Sequence, residues 1–149
     1  MSGKTIEIRP MHPEDVECVS LLEQEIFSQP WTQKGFLDAL NMEHTVFLVA
    51  EEEGRIKGYI GMYVSMDEGE ITNVAVKQEE RCRGLGGMLI ERMLHEAEKK
   101  GIGRIVLEVR VSNDSAIRLY ERNGFQKCGI RKGFYDFPKE DAFIMEYGH

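Results

Sequence analysis

The chain has 149 residues, 42% of them hydrophobic and 30% charged, with a formal net charge of -7. That length suits one globular domain over residues 1–149 with an apolar core, while the acidic balance argues against a general nucleic-acid binder, which needs a basic face to displace counterions from phosphates, and suits a cationic substrate. No apolar run approaches the roughly 18 residues of a membrane span, and the opening MSGKTIEIRP lacks a secretory hydrophobic stretch, so a cytoplasmic protein is expected.

In chain order, TIEIR at residues 5–9 alternates like a short strand. Pro13 then opens a helix with Val16, Val19, Leu22 and Ile26 at helical spacing. Pro30 breaks the chain, and Thr32 caps a second short helix carrying Phe36, Leu37 and Leu40. Residues 45–65 read as two β segments joined by a turn at Glu53 and Gly54, and GEITNVAV at residues 69–76 as a third, which makes an antiparallel meander. RCRGLGG at residues 81–87 precedes a periodic helix with Leu89, Ile90, Met93, Leu94 and Ala97 on one face and Glu91, Arg92, Glu96 and Glu98 on the other. Lys99, Lys100 and Gly101 supply its cationic last turn and its stop. RIVLEVRV at residues 104–111 alternates as a strand, and Ser112, Asn113 and Asp114 begin a further helix that Gly124 ends. Two more strands, near residues 125–129 and 141–147, complete a mixed α/β chain.

Gly84, Gly86 and Gly87 stand where a helix starts, although glycine costs up to ~1 kcal/mol relative to alanine inside one. They make either a flexible hinge or a place where an anion approaches bare backbone at the positive end of the helix, with Arg81 and Arg83 adding charge. The pattern is neither GxxxxGK[ST] nor GxGxxG, and no Lys-Ser or Lys-Thr follows, so a nucleotide P-loop is disfavoured. Cys18, Cys82 and Cys128 are widely spaced with no CxxC, and His12, His44, His95 and His149 fall at no metal-ligand spacing, so reduced thiols and no metal are expected.

LEVRVSNDSAIRLYERNGF at residues 107–125, taken with ITNVAV and the R-x-x-G-x-G of Arg81, Gly84 and Gly86, resembles the GNAT superfamily of acetyl-CoA-dependent N-acetyltransferases over most of the chain. The resemblance implies an α/β fold with a central, mostly antiparallel twisted sheet, splayed in the middle and flanked by helices. It assigns the backbone of Val74, Ala75 and Val76 to the pantetheine arm and acetyl carbonyl of acetyl-CoA. It assigns the loop of Cys82, Arg83, Gly84, Leu85, Gly86 and Gly87 to the pyrophosphate, and Asn113 to the far end of the pantetheine. Two departures stand out: Gly87 replaces a side chain that is often basic, and Lys77-Gln78 replaces a common Asp-Pro. More narrowly, the LEVR-x-SN-x-x-A-I-x-L-Y order, QPW at residues 29–31 and the ending FYDFPKEDAFIMEY are similar to the branch that acetylates the N-terminal alanine of a bacterial small-subunit ribosomal protein. The implied partner is the N-terminal tail of that protein, with no direct nucleic acid and no membrane.

Amine acetylation needs a neutral amine, a polarised thioester carbonyl and a proton for the departing thiolate. From alternation alone Glu108 is a solvated carboxylate on the face opposite Ile105, Leu107 and Val109; the resemblance makes it the general base. From periodicity alone Tyr120 is a core aromatic; the resemblance makes it the general acid, a phenol of ordinary pKa ~10. No base is paired with Cys82, so direct transfer in a ternary complex is expected rather than an acyl-enzyme. Trp31 and Tyr135 read either as walls of an acceptor groove or as core, and Asp67, Glu68 and Glu70 either as a lure for basic side chains or as a solvated turn. Three activities stay open: acetylation of a protein N-terminus, acetylation of a small amine, and non-catalytic acyl-CoA sensing, the last disfavoured by the presence of both Glu108 and Tyr120.

Overall fold

Residues 5–81 and 83–148 are described by a computed structural model, and in them the strands begin and end where turn chemistry requires. β1 (Ile6–Pro10), a 3-10 turn (Pro13–Asp15), α1 (Val16–Ile26) and α2 (Gln33–Leu40) lead into β2 (Thr45–Glu52), β3 (Arg55–Ser65) and β4 (Glu68–Val76). A second 3-10 turn (Gln78–Glu80) then precedes α3 (Leu85–Lys99), β5 (Arg104–Arg110), α4 (Asp114–Arg122), β6 (Gln126–Asp136) and β7 (Lys139–Gly148). Glu53 and Gly54 close the β2–β3 hairpin with φ of +53° and +78°, the paired positive angles that match strand twist. Thr32 caps α2 by accepting a hydrogen bond from the Gly35 amide at 3.0 Å.

One seven-stranded sheet results, in the order β1-β2-β3-β4-β5-β7-β6. Its neighbouring strands are antiparallel except β4 and β5, whose parallel ladder runs only from Glu68↔Arg104 to Glu70↔Val106. Beyond Glu70 the two strands part. Just past that point β4 carries an extra residue: Met62 of β3 pairs with Ile71 and Gly61 with Asn73, which leaves Thr72 as a bulge. A bulge bends its strand and increases local twist, so β4 turns away from β5.

The bulge also changes which side each residue faces. Ile71 packs with Leu48, Ile60, Met62 and the α3 residues Leu85, Leu89, Ile90 and Met93, a core that extends to Ile117 and Tyr120 of α4. Ala75 packs instead with Val16, Val19, Leu22, Phe36 and Tyr59, the core beneath α1 and α2. In an unbroken strand, residues 71 and 75 would share a face.

The last two strands are longer than residues 125–129 and 141–147. β6 lies at the sheet edge with most of its side chains exposed, so no alternation marks it, and its ladder with β7 is irregular between Lys127 and Gly129 and between Arg131 and Tyr135. Pairing with β7, rather than burial, defines it.

A buried carboxylate ties the α1–α2 side together. Glu23 is 3% exposed and accepts hydrogen bonds from the Tyr59 hydroxyl and from the Trp31 amide, the latter at 3.0 Å. The contact joins α1 to β3 and holds the segment that enters α2. Burial, and then the Glu23 charge, pushes the Tyr59 phenol far above its ordinary range, so it remains a donor. Tyr59→Phe removes that donor and leaves a buried oxygen one partner short. The expected loss is about 1–3 kcal/mol, read from the urea unfolding midpoint at constant m-value.

Candidate active site

Parting of β4 from β5 opens a cleft between them. Along residues 73–76, β4 keeps its ladder with β3, from Gly61↔Asn73 to Gly58↔Val76, while its ladder with β5 has ended. The backbone of Val74, Ala75 and Val76 therefore has an edge toward the cleft that no strand occupies among the described residues, and polar groups there need a partner from elsewhere.

The N-terminus of α3 follows the second 3-10 turn. Its first intrahelical bond runs from the Met88 amide to the Gly84 carbonyl at 3.0 Å, so the amides of Leu85, Gly86 and Gly87 precede the ladder. Thr32 and Asn113 cap α2 and α4 with side-chain oxygens, whereas α3 begins at a glycine with no side-chain cap. The three glycines have different reasons to be there. Gly84 has φ of +82°, which a Cβ disfavours, while at Gly86 a Cβ would stand 2.9 Å from Leu119 Cδ2 of α4. Gly87 has room: its Cβ would meet only Leu119 Cδ1, at 3.9 Å. Close approach of α3 to α4 is thus part of the reason for Gly86, alongside exposure of the backbone.

Ion pairs hold the loop that leads into α3. Arg83 donates to both oxygens of Glu52 at 3.1 Å and also bonds Glu80, which accepts from Lys57 Nζ at 3.0 Å. Lys57 and Arg83 together hold the Glu80 carboxyl below its ordinary range. The Lys77 amide donates to the Lys57 carbonyl at 2.8 Å, so the Lys77-Gln78 segment is tied down without a proline. Arg83, expected at a pyrophosphate, has its guanidinium on carboxylates here; Arg81 Nε donates to the Val76 carbonyl, at 3.4 Å. Cys82 and His149 lie outside the described residues.

On the β5 side, Glu108 faces away from the core that holds Leu107 and Val109. Its side chain is 13% exposed, and Arg131 Nε of β6 lies 3.1 Å from Oε2. Glu70, at the end of the β4–β5 ladder, lies beside Glu108; desolvation and then the Glu108 charge push the Glu70 carboxyl up. Tyr120 is 7% exposed and packs its ring against Phe125, centroids 5.9 Å apart. Burial raises its phenol pKa, with Tyr135 adding to the shift. Tyr135 feels Glu108 as well, and lies under the Arg110 guanidinium at 4.2 Å from its ring centre. Glu108 and Tyr120 thus both lie within electrostatic reach of Tyr135.

The Acetyltransferase (GNAT) family matches residues 16–125. The chain belongs to that family. Among its GNAT relatives, the [ribosomal protein bS18]-alanine N-acetyltransferase of Escherichia coli (strain K12) is 33% identical over 140 residues, covering 93% of this chain and 94% of that one. A Bacillus subtilis (strain 168) protein provisionally named for the same activity is 40% identical over 139 residues, covering 93% and 92%. The crystal structure of the ribosomal-protein-S18-alanine N-acetyltransferase from Escherichia coli superposes with a TM-score of 0.89 at 32% identity, over 97% of this chain and 94% of that one. As a GNAT member with such relatives, the protein is an N-acetyltransferase.

In this GNAT site, the expected residues fall into separate groups. Val74, Ala75 and Val76 line the cleft, Gly84, Leu85, Gly86 and Gly87 form the α3 start, and Asn113 is engaged as the α4 cap, its Oδ1 accepting from the Ala116 amide at 3.2 Å. Trp31 is half-buried among Phe36, Phe47 and Tyr63 and also lines an open depression of about 370 Å³ with Thr32, Gly35 and Tyr63, so it serves both as core and as wall. The acidic triplet divides: Glu68 pairs with Arg104, and Glu70 turns to Glu108. Three further residues lack a local signal, because each depends on long-range register. They are Glu70 as a neighbour of Glu108, Arg131 beside that pair, and Arg110 at the end of β5, which donates to the Pro138 carbonyl of the β6–β7 turn at 2.8 Å. Among the described residues, no group of three His, Cys, Asp or Glu could hold a metal, and no helix is long and apolar enough to cross a membrane.

The different glycine environments predict opposite effects of one substitution. Gly84→Ala forces a Cβ into the left-handed region and is expected to cost about 1–2 kcal/mol. Gly87→Ala meets open space in a helix and should stabilise by up to ~1 kcal/mol. Urea unfolding of both variants checks the order, which reverses if the loop reorganises freely.

Proposed function

We propose that the protein is an acetyl-CoA-dependent N-α-acetyltransferase of the RimI type, which acetylates the N-terminal alanine of a bacterial small-subunit ribosomal protein by direct transfer in a ternary complex. The observation that carries this reading is the parted cleft, with an uncapped helix start beyond one strand and Glu108 on the other. The named activity of the Escherichia coli relative supports the choice of acceptor.

The residues fit acetyl-CoA as a substrate. Amides of Leu85, Gly86 and Gly87, with the Gly84 turn and Arg83 before it, offer donors and a positive dipole end to the pyrophosphate. The free edge of residues 74–76 offers peptide groups to the amides of the pantetheine arm, and Asn113, at the start of α4, is assigned the arm's far end. An extended peptide tail fits the face of the sheet away from α3, where Trp31 and Tyr63 wall the depression and Tyr135 stands near Glu108.

Transfer then requires three events. Glu108 accepts a proton from the acceptor amine, whose ordinary pKa of ~8 leaves much of it protonated at neutral pH. The amine lone pair forms the N–C bond at the acetyl carbonyl, and collapse of the tetrahedral adduct breaks the C–S bond. Tyr120, which burial keeps protonated through the neutral range, supplies the proton to the departing sulfur. No enzyme nucleophile takes part.

Tyr120→Phe separates acid catalysis from packing, because phenylalanine fills the same space against Phe125. The expected fall in kcat is ~10² to 10⁴ with melting temperature and acetyl-CoA affinity nearly unchanged. Turnover within a few-fold of the parent, in single-turnover kinetics that exclude slow product release, removes Tyr120 from the role.

Glu108→Gln should lose rate by a similar factor at neutral pH and recover part of it as rising pH deprotonates the amine; an unchanged pH–rate profile removes Glu108 from the role. Acceptor choice is tested by acetyl-CoA turnover on a panel of N-terminal peptides and small amines, with mass spectrometry locating the acetyl group. Preference for an N-terminal alanine peptide is expected, and preference for a polyamine or aminoglycoside overturns the assignment.

A further inference from the structure

Glu70 and Val106 form the last pair of the parallel β4–β5 ladder. Side chains of paired residues emerge on the same face of a sheet, and Glu108, two residues beyond Val106, returns to that face as a diagonal neighbour of Glu70. The intervening Ile71 and Leu107 go to the opposite face, into the core beneath α3 and α4. The two carboxyls are therefore set side by side at the vertex of the cleft, before the strands part.

Their surroundings are unequal. Glu70 is exposed as a residue, whereas the Glu108 side chain is 13% exposed and lies against Arg131, Nε to Oε2 at 3.1 Å. The charged and titratable groups around Glu70 are Glu108 from β5, Arg131 from β6, Tyr63 opposite it on β3, and Glu68 on its own strand, which is paired to Arg104. Tyr135 of β6 faces Glu108 in turn. Arg131 favours ionisation of Glu70, while desolvation and the proximity of Glu108 oppose it, and the opposition is larger.

We propose that Glu70 is a positioning residue for the acyl transfer, sharing a proton with Glu108 and passing to bulk water the proton that Glu108 takes from the acceptor amine. This rests on Glu108 as the base. The resting pair holds one proton, on Glu70. When Glu108 takes a proton from the amine nitrogen, Glu70 releases its own to water, the Glu108 proton crosses to Glu70, and the pair returns to its starting state with no net change. Without an ionisable Glu70, Glu108 has no neighbour to take up the proton it has accepted and must return it to water itself.

The substitution Glu70→Gln keeps the length of the side chain and a donor to Glu108 but cannot ionise. Because Gln cannot pass the proton on, kcat on the plateau should fall about tenfold. Melting temperature should not move, since the side chain faces away from the α3 core. Carboxyl-detected NMR on the 13C-labelled full chain gives a readout independent of turnover: the Glu70 midpoint should lie above an ordinary glutamate and drop toward it in Glu108→Gln. A Glu70 midpoint that ignores Glu108→Gln overturns the proposal. So does an unmoved kcat in Glu70→Gln where Glu108→Gln is slow. Full turnover in Glu108→Gln instead overturns the base assignment, and the relay with it.

Discussion

The arrangement depends on a ladder that stops. β4 and β5 are bonded from Glu68 to Glu70 and then diverge, and the extra residue Thr72 follows close behind. A regular strand would have continued its bonds to β5 and closed the sheet, leaving no backbone free. The bulge prevents this at the cost of one unpaired residue and moves the alternation by one step, so that Ile71 serves the core under α3 while Ala75 serves the core under α1 and α2. Both cores are then needed to hold β4 in its bent course, one on each side.

Electrostatics around this opening differ from end to end. Acidic residues outnumber basic ones over the whole chain, yet the loop before α3 is held by Arg83 and Lys57 against Glu52 and Glu80. The partly exposed pairs contribute modestly to stability, but together they fix the approach to a helix whose first amides have no side-chain cap. On the β5 side of the cleft, carboxyls rather than cations gather, with Arg131 as the counter-charge. A chain with a donor-rich end for an anion and an acid-rich end for an amine suits the two halves of a transfer from an acyl phosphopantetheine derivative to an ammonium-bearing acceptor.

Much of the fold was legible because local chemistry and long-range packing agree. The Glu53-Gly54 turn and the stop at Gly101 reflect positive φ angles that few residues adopt, the Thr32 cap reflects a side-chain oxygen placed to accept from the Gly35 amide, and the periodicity of α3 matches the face it buries. β6 was legible only at its start, since an exposed edge strand needs no alternation. The glycine loop was visible as a place of unusual backbone, but the same residue type stands at Gly84 for its dihedral and at Gly86 for helix approach. Composition cannot separate those reasons.

Element order, the capped and uncapped helix starts and the motif that marks the family are properties of neighbouring residues, and the amino-acid order carries them because caps, turns and hydrophobic periods act over a few positions. The proximity of Glu70 to Glu108, the position of Tyr135 near both Glu108 and Tyr120, and the Arg110 hold on the β6–β7 turn arise from strand register. Register is a collective result: it is set when the two faces of the sheet are buried together, and a shift of one residue would send the strand-borne side chains of this site to the opposite face.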